Sequence, residues 1–350
     1  MAEVGRALRL ADVRHILLVH GTFVGPDAWG LLSQLSRFST EAAQVIAKFD
    51  KAVIDRVVGE AGNYTQQYEQ TFSAAINQPD REPIRVERFH WSSENNHIGR
   101  AHGAVTMLRR LAELHEESPG RVLLWGHSHA GNVFALATNL LGGDRAARRK
   151  FFRAARIYYR NPCFRHIDLP VWREVEQRLD DQDSELFRWP PDIVTFGTPI
   201  RYGWETAGYG QLMHFIHHKP KEGQPQHTLA FPPAARDVFE AADGDYVQHF
   251  GIAGTNIAPP VISPRSLLAD IRLNRLLQPG LRARDLFHRL STGMRVPAEG
   301  ATRLVDYGPQ GSILEHMAGH AVYTRLEWLL FHAEELVKQF YSSHRARPPE

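Results

Sequence analysis

The sequence predicts an α/β fold on a mostly parallel sheet, and three observations carry that expectation. Short β-prone runs alternate with stretches of helical periodicity. The runs are largely continuous in apolar residues rather than alternating, as strands buried on both faces are. One of them, "RVLLW" at 121–125, passes through a Gly-His-Ser turn straight into a helical pattern.

Six strands are expected. "RHILLVHGT" (14–22) comes first, with a five-residue β-prone run ending in a His-Gly turn. "PIRVERFHW" (83–91) and "RVLLWGHS" (121–128) follow, and the latter is the clearest. "PDIVTFGTP" (191–199), "QLMHFIHH" (211–218) and "TRLVDYG" (302–308) complete the set. Between them, 99–116 has apolar spacing near the helical period and stops before Ser118-Pro119-Gly120. Residues 132–141 form a second helical pattern, ended by Gly142-Gly143. Residues 322–340 read as one amphipathic helix.

Two stretches interrupt the alternation. Residues 144–190, rich in Arg and aromatics, read as a helical insertion able to act as a cap. Residues 259–299 carry a run of arginines from Arg265 to Arg295, read as a basic helical excursion. Its plain reading is a solvated face, and its sharper one a surface for an anionic partner such as a lipid headgroup. The domain expectation is one α/β domain over 1–350 with these two insertions.

Composition narrows the function classes. Of 350 residues 43% are hydrophobic and 23% charged, which suits a globular chain with a full core. A formal net charge of +2 gives no nucleic-acid signature. The single cysteine, Cys163, excludes an intrachain disulfide framework and a Cys-rich zinc site. It is compatible with a reducing compartment. No stretch reaches the ~18 apolar residues a membrane-spanning helix needs, and "HILLV" is too short for a signal-peptide core. The expectation is a soluble, cytoplasmic protein without a transmembrane segment, with peripheral membrane contact left open.

The chemistry centres on "LLWGHSHAGNVFAL" at 123–136. Two readings compete for it: Ser128 as a nucleophile, or His127 and His129 as metal ligands. "GHSH" resembles the Gly-His-x-His segment of calcineurin-like metallophosphoesterases, and also the His-x-His-x-Asp-His run of metallo-β-lactamase-like hydrolases. The second pattern needs Asp and His where the chain has Gly131 and Asn132. The first needs an early Asp-x-His and a Gly-Asn-His, and the chain has "VHGTF" and "AGNYT". Two histidines are too few ligands for a catalytic metal, so no metal and no cofactor is expected.

The nucleophile reading explains more. A serine hydroxyl needs a base, an oriented imidazole and an oxyanion hole. A sharp strand–turn–helix exposes the serine and requires small residues two before and two after it, here Gly126 and Ala130. On these residues the chain resembles the α/β-hydrolase superfamily, particularly its lipase- and esterase-like members. Ala130 stands where that pattern prefers Gly. "LLVHGT" (17–22) looks like the family's oxyanion-loop strand end, and "VTFGTPI" (194–200) like the strand after the nucleophile.

The resemblance implies an oxyanion hole from the backbone N–H groups of Thr22 and His129, with Phe23 as a neighbour able to share the role. It also implies the chain order serine, acid, histidine. The histidine then follows the last strand, which favours His320 over His316. The acid follows the penultimate strand, where Asp245 in "GDYV" is favoured. Asp243, Asn256 and Asp306 stay open as alternatives. His214, His217, His218, His227 and His249 have no Asp, Glu or Cys partners at ligand spacing and read as strand and loop residues.

The functional expectation is a lipase- or esterase-like serine hydrolase cleaving a carboxylic ester or thioester of a small or lipid-like acyl substrate. The competing classes are a non-catalytic binding protein of the same fold, an acyltransferase and a metallophosphoesterase. The natural substrate and the oligomeric state are not written in the sequence.

Overall fold

The computed structural model describes residues 1–21, 63–79, 81–160, 168–220, 222–223, 232–252, 256–278, 283–291, 296–308 and 316–342. Six strands form one sheet: β1 (Val13–Val19), β2 (Arg85–Phe89), β3 (Arg121–His127), β4 (Asp192–Phe196), β5 (Leu212–His217) and β6 (Ala301–Val305). Their order is β2-β1-β3-β4-β5-β6, and every pairing is parallel. Each overlaps one of the six runs expected from the sequence; β1 and β6 begin one residue earlier, and the carboxyl ends stop one to three residues sooner.

In the central strands the apolar runs are continuous because both faces of the sheet are covered. Leu17, Val122, Leu124 and Ile193 belong to the core on one face. Their sequence neighbours Ile16, Leu18, Leu123, Trp125, Val194 and Phe196 belong to the core on the other. This two-residue alternation, apolar at both phases, is what a helix-covered parallel sheet requires.

The helices are α1 (Ala2–Leu10), α2 (Gln66–Ile76), α3 (His97–Glu117), α4 (Ala130–Gly142), α5 (Arg145–Tyr159), α6 (Pro170–Asp180), α7 (Glu185–Arg188), α8 (Ala235–Glu240), α9 (Tyr246–Gly251), α10 (Pro264–Leu277), α11 (Ala283–Ser291) and α12 (Leu329–Phe340). α1, α2 and α12 cover the second face, while α3 to α6 and α10 cover the first. No helix among the described residues is long and apolar enough to cross a membrane.

The expected helix over 322–340 is not continuous. Two tight turns, Val322–Thr324 and Leu326–Trp328, precede α12. The break falls at Arg325, whose ψ of 136° is extended. The turns deliver Tyr323 to the interior instead of to a helix surface.

The described part of the insertion at 144–190 forms α5, α6 and α7 and commits Phe151, Phe152, Tyr158, Tyr159 and Trp172 to the core. Trp172 is fully buried and stacks on Tyr159 at 5.0 Å. Its indole N–H donates to His102 Nδ1 on α3 at 3.0 Å. The basic excursion provides α10 and α11. Arg265 turns inward from α10, and its Nε donates to the carbonyl of Ile157 at 2.8 Å, satisfying a group at the end of α5.

Candidate active site

Ser128 lies between β3 and α4, at the carboxyl end of a central strand. Its φ is +57°, a left-handed conformation that costs a non-glycine residue roughly 1–2 kcal/mol. Hydrogen bonds on both sides hold it there. Its N–H donates to the carbonyl of Phe196 at 2.8 Å, and Thr198 Oγ1 donates to its carbonyl at 2.7 Å. The turn is tight enough to explain the small residues around it: a Cβ on Gly126 would lie 2.3 Å from the Phe134 ring and 3.1 Å from the Ala130 methyl.

The end of β1 lies against this serine. A Cβ on Gly21 would come 2.5 Å from Ser128 Cβ and 3.0 Å from its Oγ, so only glycine leaves the hydroxyl its space. The His-Gly turn is fastened by three hydrogen bonds, two from neighbours and one from its own imidazole. Trp91 Nε1 donates to the carbonyl of His20, while Ser93 Oγ and His20 Nδ1 both reach the carbonyl of Gly21. Burial holds the His20 imidazole neutral, pushing its pKa down to about 4. Thr22 and Phe23, expected to supply an oxyanion donor, lie outside the described residues. His129, expected to supply the other, opens α4 directly after the serine.

The structure brings His320 and Asp245 together. His320 Nδ1 donates to Asp245 Oδ2 at 2.7 Å, and both residues are buried. Asp245 follows β5, starts α9 and accepts the backbone N–H of Gln248 on Oδ1 at 2.8 Å. Its Oδ2 also accepts from the Tyr323 hydroxyl at 2.9 Å, and that hydroxyl accepts the N–H of His217 at 2.7 Å. Two side-chain donors and one backbone donor thus stabilise the ionised carboxylate.

His320 lies against His127, the residue before the serine. The His127 ring stands 4.5 Å from the His320 ring, and its Nε2 donates to the His320 carbonyl at 3.0 Å. Sequence reasoning took His127 only as a metal-ligand candidate and missed Tyr323 and Gln248. For Tyr323 the position three residues after His320 was a signal, concealed by reading the segment as continuous helix.

The alternatives occupy other places. His316 Nδ1 accepts the N–H of Gly319 at 3.2 Å within the turn that leads to His320. Asp243 accepts from the Tyr246 hydroxyl at 2.7 Å. Asn256 accepts from Arg100 at 2.7 Å. Asp306 is exposed and closes a turn onto Gly308.

A second polar cluster lies on the far side of His129. His129 Nδ1 accepts from Asn132 Nδ2, which also donates to the carbonyl of Pro199. Beyond it are the buried Arg100, Arg201 and His97. Burial first, then Arg100, Arg201 and His320, hold the His129 imidazole neutral. Burial and the same two arginines push His97 down to about 2.

Of the other histidines of 212–250, His214 Nδ1 bonds Thr195 Oγ1 at 2.6 Å, His217 Nδ1 and the His218 N–H reach the carbonyl of Val305, and His249 is buried on α9. His227 lies outside the described residues. Among the described residues no three His, Cys, Asp or Glu side chains gather as a metal-ligand group. Compared with known proteins, the chain matches no protein-family model and no curated sequence.

Proposed function

We propose that the protein is a serine hydrolase of α/β-hydrolase type, cleaving a carboxylic ester or thioester through an acyl-enzyme on Ser128. The observation that carries this reading is a strained, left-handed Ser128 on a strand–turn–helix, with the bonded His320–Asp245 pair packed against its neighbour His127. The sheet adds support. Serine after β3, acid after β5 and histidine after β6 reproduce the order serine, acid, histidine on the carboxyl edge of a parallel sheet.

The chemistry follows from the hydrogen bonds. With Nδ1–H engaged by Asp245, the free lone pair of His320 is on Nε2. That nitrogen takes the Ser128 proton as Oγ attacks the acyl carbon, and the carbonyl π electrons move onto oxygen. Asp245 keeps its charge and balances the imidazolium. His320 then returns the proton to the departing alkoxide or thiolate as the acyl–heteroatom bond breaks. Water repeats the sequence, giving its proton to His320 and releasing the acid. The backbone N–H of His129, at the start of α4, is the described candidate for holding the oxyanion; Thr22 is its expected partner.

A fluorophosphonate probe and p-nitrophenyl esters test this. Wild type is expected to be labelled covalently and to turn over esters. Ser128→Ala is expected to lose both, and His320→Ala to lose turnover by roughly 10³-fold or more. A folded wild-type protein that takes no label overturns the reading.

A further inference from the structure

The cluster beyond His129 contains two buried cations. Arg100 is fully buried and Arg201 is 8% exposed. Burying an ion without a counter-ion is costly, so such groups are ordinarily paired with a carboxylate. Neither of these has a carboxylate within salt-bridge distance among the described residues. Arg100 spends its donors on neutral acceptors: the Tyr202 hydroxyl at 2.9 Å, Asn95 Oδ1 at 2.9 Å and Asn256 Oδ1 at 2.7 Å. Arg201 donates from Nη2 to Gln278 Oε1 at 3.2 Å, and its buried Nε has no acceptor.

The nearby acids are engaged elsewhere. Asp270 accepts the N–H of Ile98 and the amide of Asn256, and Glu94 accepts from Asn96. Burial and Arg100 push Arg201 down to about 10, partly offset by Tyr202 and Asp270, so it stays cationic at neutral pH without a carboxylate in direct contact among the described residues.

Arg201 also lines a cavity of about 840 Å³ between α4, α5 and the end of α10. Leu136, Leu140, Phe151, Leu276 and Val296 give it apolar walls. The remaining charges on its rim, Arg148, Lys150 and Arg289 against Asp144, Glu205 and Glu299, are equal in number and opposite in sign. Arg201 is therefore the charge left over. It is tied to the nucleophile through a short path: Pro199, two residues before it, accepts from Asn132, which bonds His129 beside Ser128. An apolar cavity with one convergent charged group is the form of a small-ligand pocket.

We infer that the ester carries an oxyanion, a carboxylate or a phosphate, which seats on Arg201 while an apolar part of the molecule fills the adjoining cavity. This rests on the acyl-enzyme reading above. It narrows the substrate from esters in general to anionic amphiphilic esters. The Arg201 guanidinium, which lines the cavity, is the group on which such an oxyanion seats, and the nearby Arg100 adds charge.

Two matched substrate pairs test it. The first is p-nitrophenyl octanoate against the mono-p-nitrophenyl ester of octanedioic acid, which adds a carboxylate on the acyl side. The second is 1-octanoylglycerol against its 3-phosphate, which adds a phosphate on the alcohol side. In wild type, kcat/KM is expected to favour the anionic member of at least one pair by about tenfold or more. That ratio is expected to fall toward one in Arg201→Gln and to be partly kept in Arg201→Lys. The pair that responds identifies the oxyanion.

Because each ratio is taken within one protein, a loss of folded material cancels. Fluorophosphonate labelling reports whether each variant keeps a working serine. Ratios near one in a labelled wild type overturn this inference and leave the hydrolase reading standing. A preference that survives Arg201→Gln overturns it as well. A folded wild type that takes no label overturns both.

Discussion

Ser128 stands between two buried polar clusters that are finished to different degrees. On one side His320, Asp245, Tyr323 and the backbone of Gln248 and His217 form a closed set, in which Asp245 receives three hydrogen bonds. On the other side Arg100, Arg201, His97 and His129 are held by neutral partners, and one guanidinium donor has none. The difference lies in the partners: one side ends on a carboxylate, the other on neutral groups beside a cavity. A closed network fixes the orientation of a group that must react in one geometry. An open one stores unspent interaction that a ligand is able to collect.

The largest expected effect breaks the closed side. Asp245→Asn removes the charge that balances the His320 imidazolium and changes the tautomer the ring prefers. By analogy with triads generally, kcat is expected to fall by roughly 10³ to 10⁴. The check is single-turnover acylation by a p-nitrophenyl ester, with fold monitored by near-ultraviolet circular dichroism. A fall below tenfold removes Asp245 from the acid role.

A smaller effect separates positioning from charge. Tyr323→Phe deletes one donor to Asp245 Oδ2 and leaves His217 N–H without its acceptor. The carboxylate keeps His320 and Gln248. Activity is expected to fall about tenfold, close to the ~1.4 kcal/mol of one hydrogen bond. A positioning role predicts that the loss appears in kcat with KM little changed. Equal losses in both parameters point instead to a collapsed pocket.

The contrast between the sides also explains what was legible in the sequence. All six strands were: the central ones are written as continuous apolar runs because the sheet is covered on both faces, and the edge strands β2 and β6 as shorter β-prone runs that carry charge. Ser128 and its small neighbours were, because the turn admits only certain residues at fixed spacing. Asp245 and His320 were legible as places in a chain order, 75 positions apart, but not as a bonded pair. Tyr323 was hidden by a helical pattern whose break at Arg325 is set by tertiary packing. Arg100 and Arg201 left no signal at all: each reads as an ordinary surface arginine, and only burial without a carboxylate partner distinguishes them.

The smallest expected effect concerns the open side's tolerance of acid. The Tyr202 hydroxyl receives Arg100 Nε–H and so donates to His97 Nδ1 at 2.8 Å, while His97 Nε2–H donates to Asn274 Oδ1 at 3.1 Å. That arrangement needs a neutral imidazole, because a proton on Nδ1 would face the Tyr202 hydroxyl. The folded pKa of His97 lies at about 2 against 6.5 for the free side chain. Between those values the unfolded chain binds a proton that the folded chain refuses. The stability His97 contributes is therefore complete above pH 6.5 and declines as the pH falls from there. The rate is about 1.4 kcal/mol per pH unit at most. His20, pushed down to about 4, adds to the same trend. The melting temperature is expected to fall from pH 7 to pH 5, and His97→Gln, which stays neutral, is expected to fall less steeply by a few degrees over that interval. Parallel curves for the two proteins mean that His97 accepts its proton without cost. The cluster would then already hold enough negative charge to accommodate another cation, and the two sides of Ser128 would be more alike than their hydrogen bonds make them.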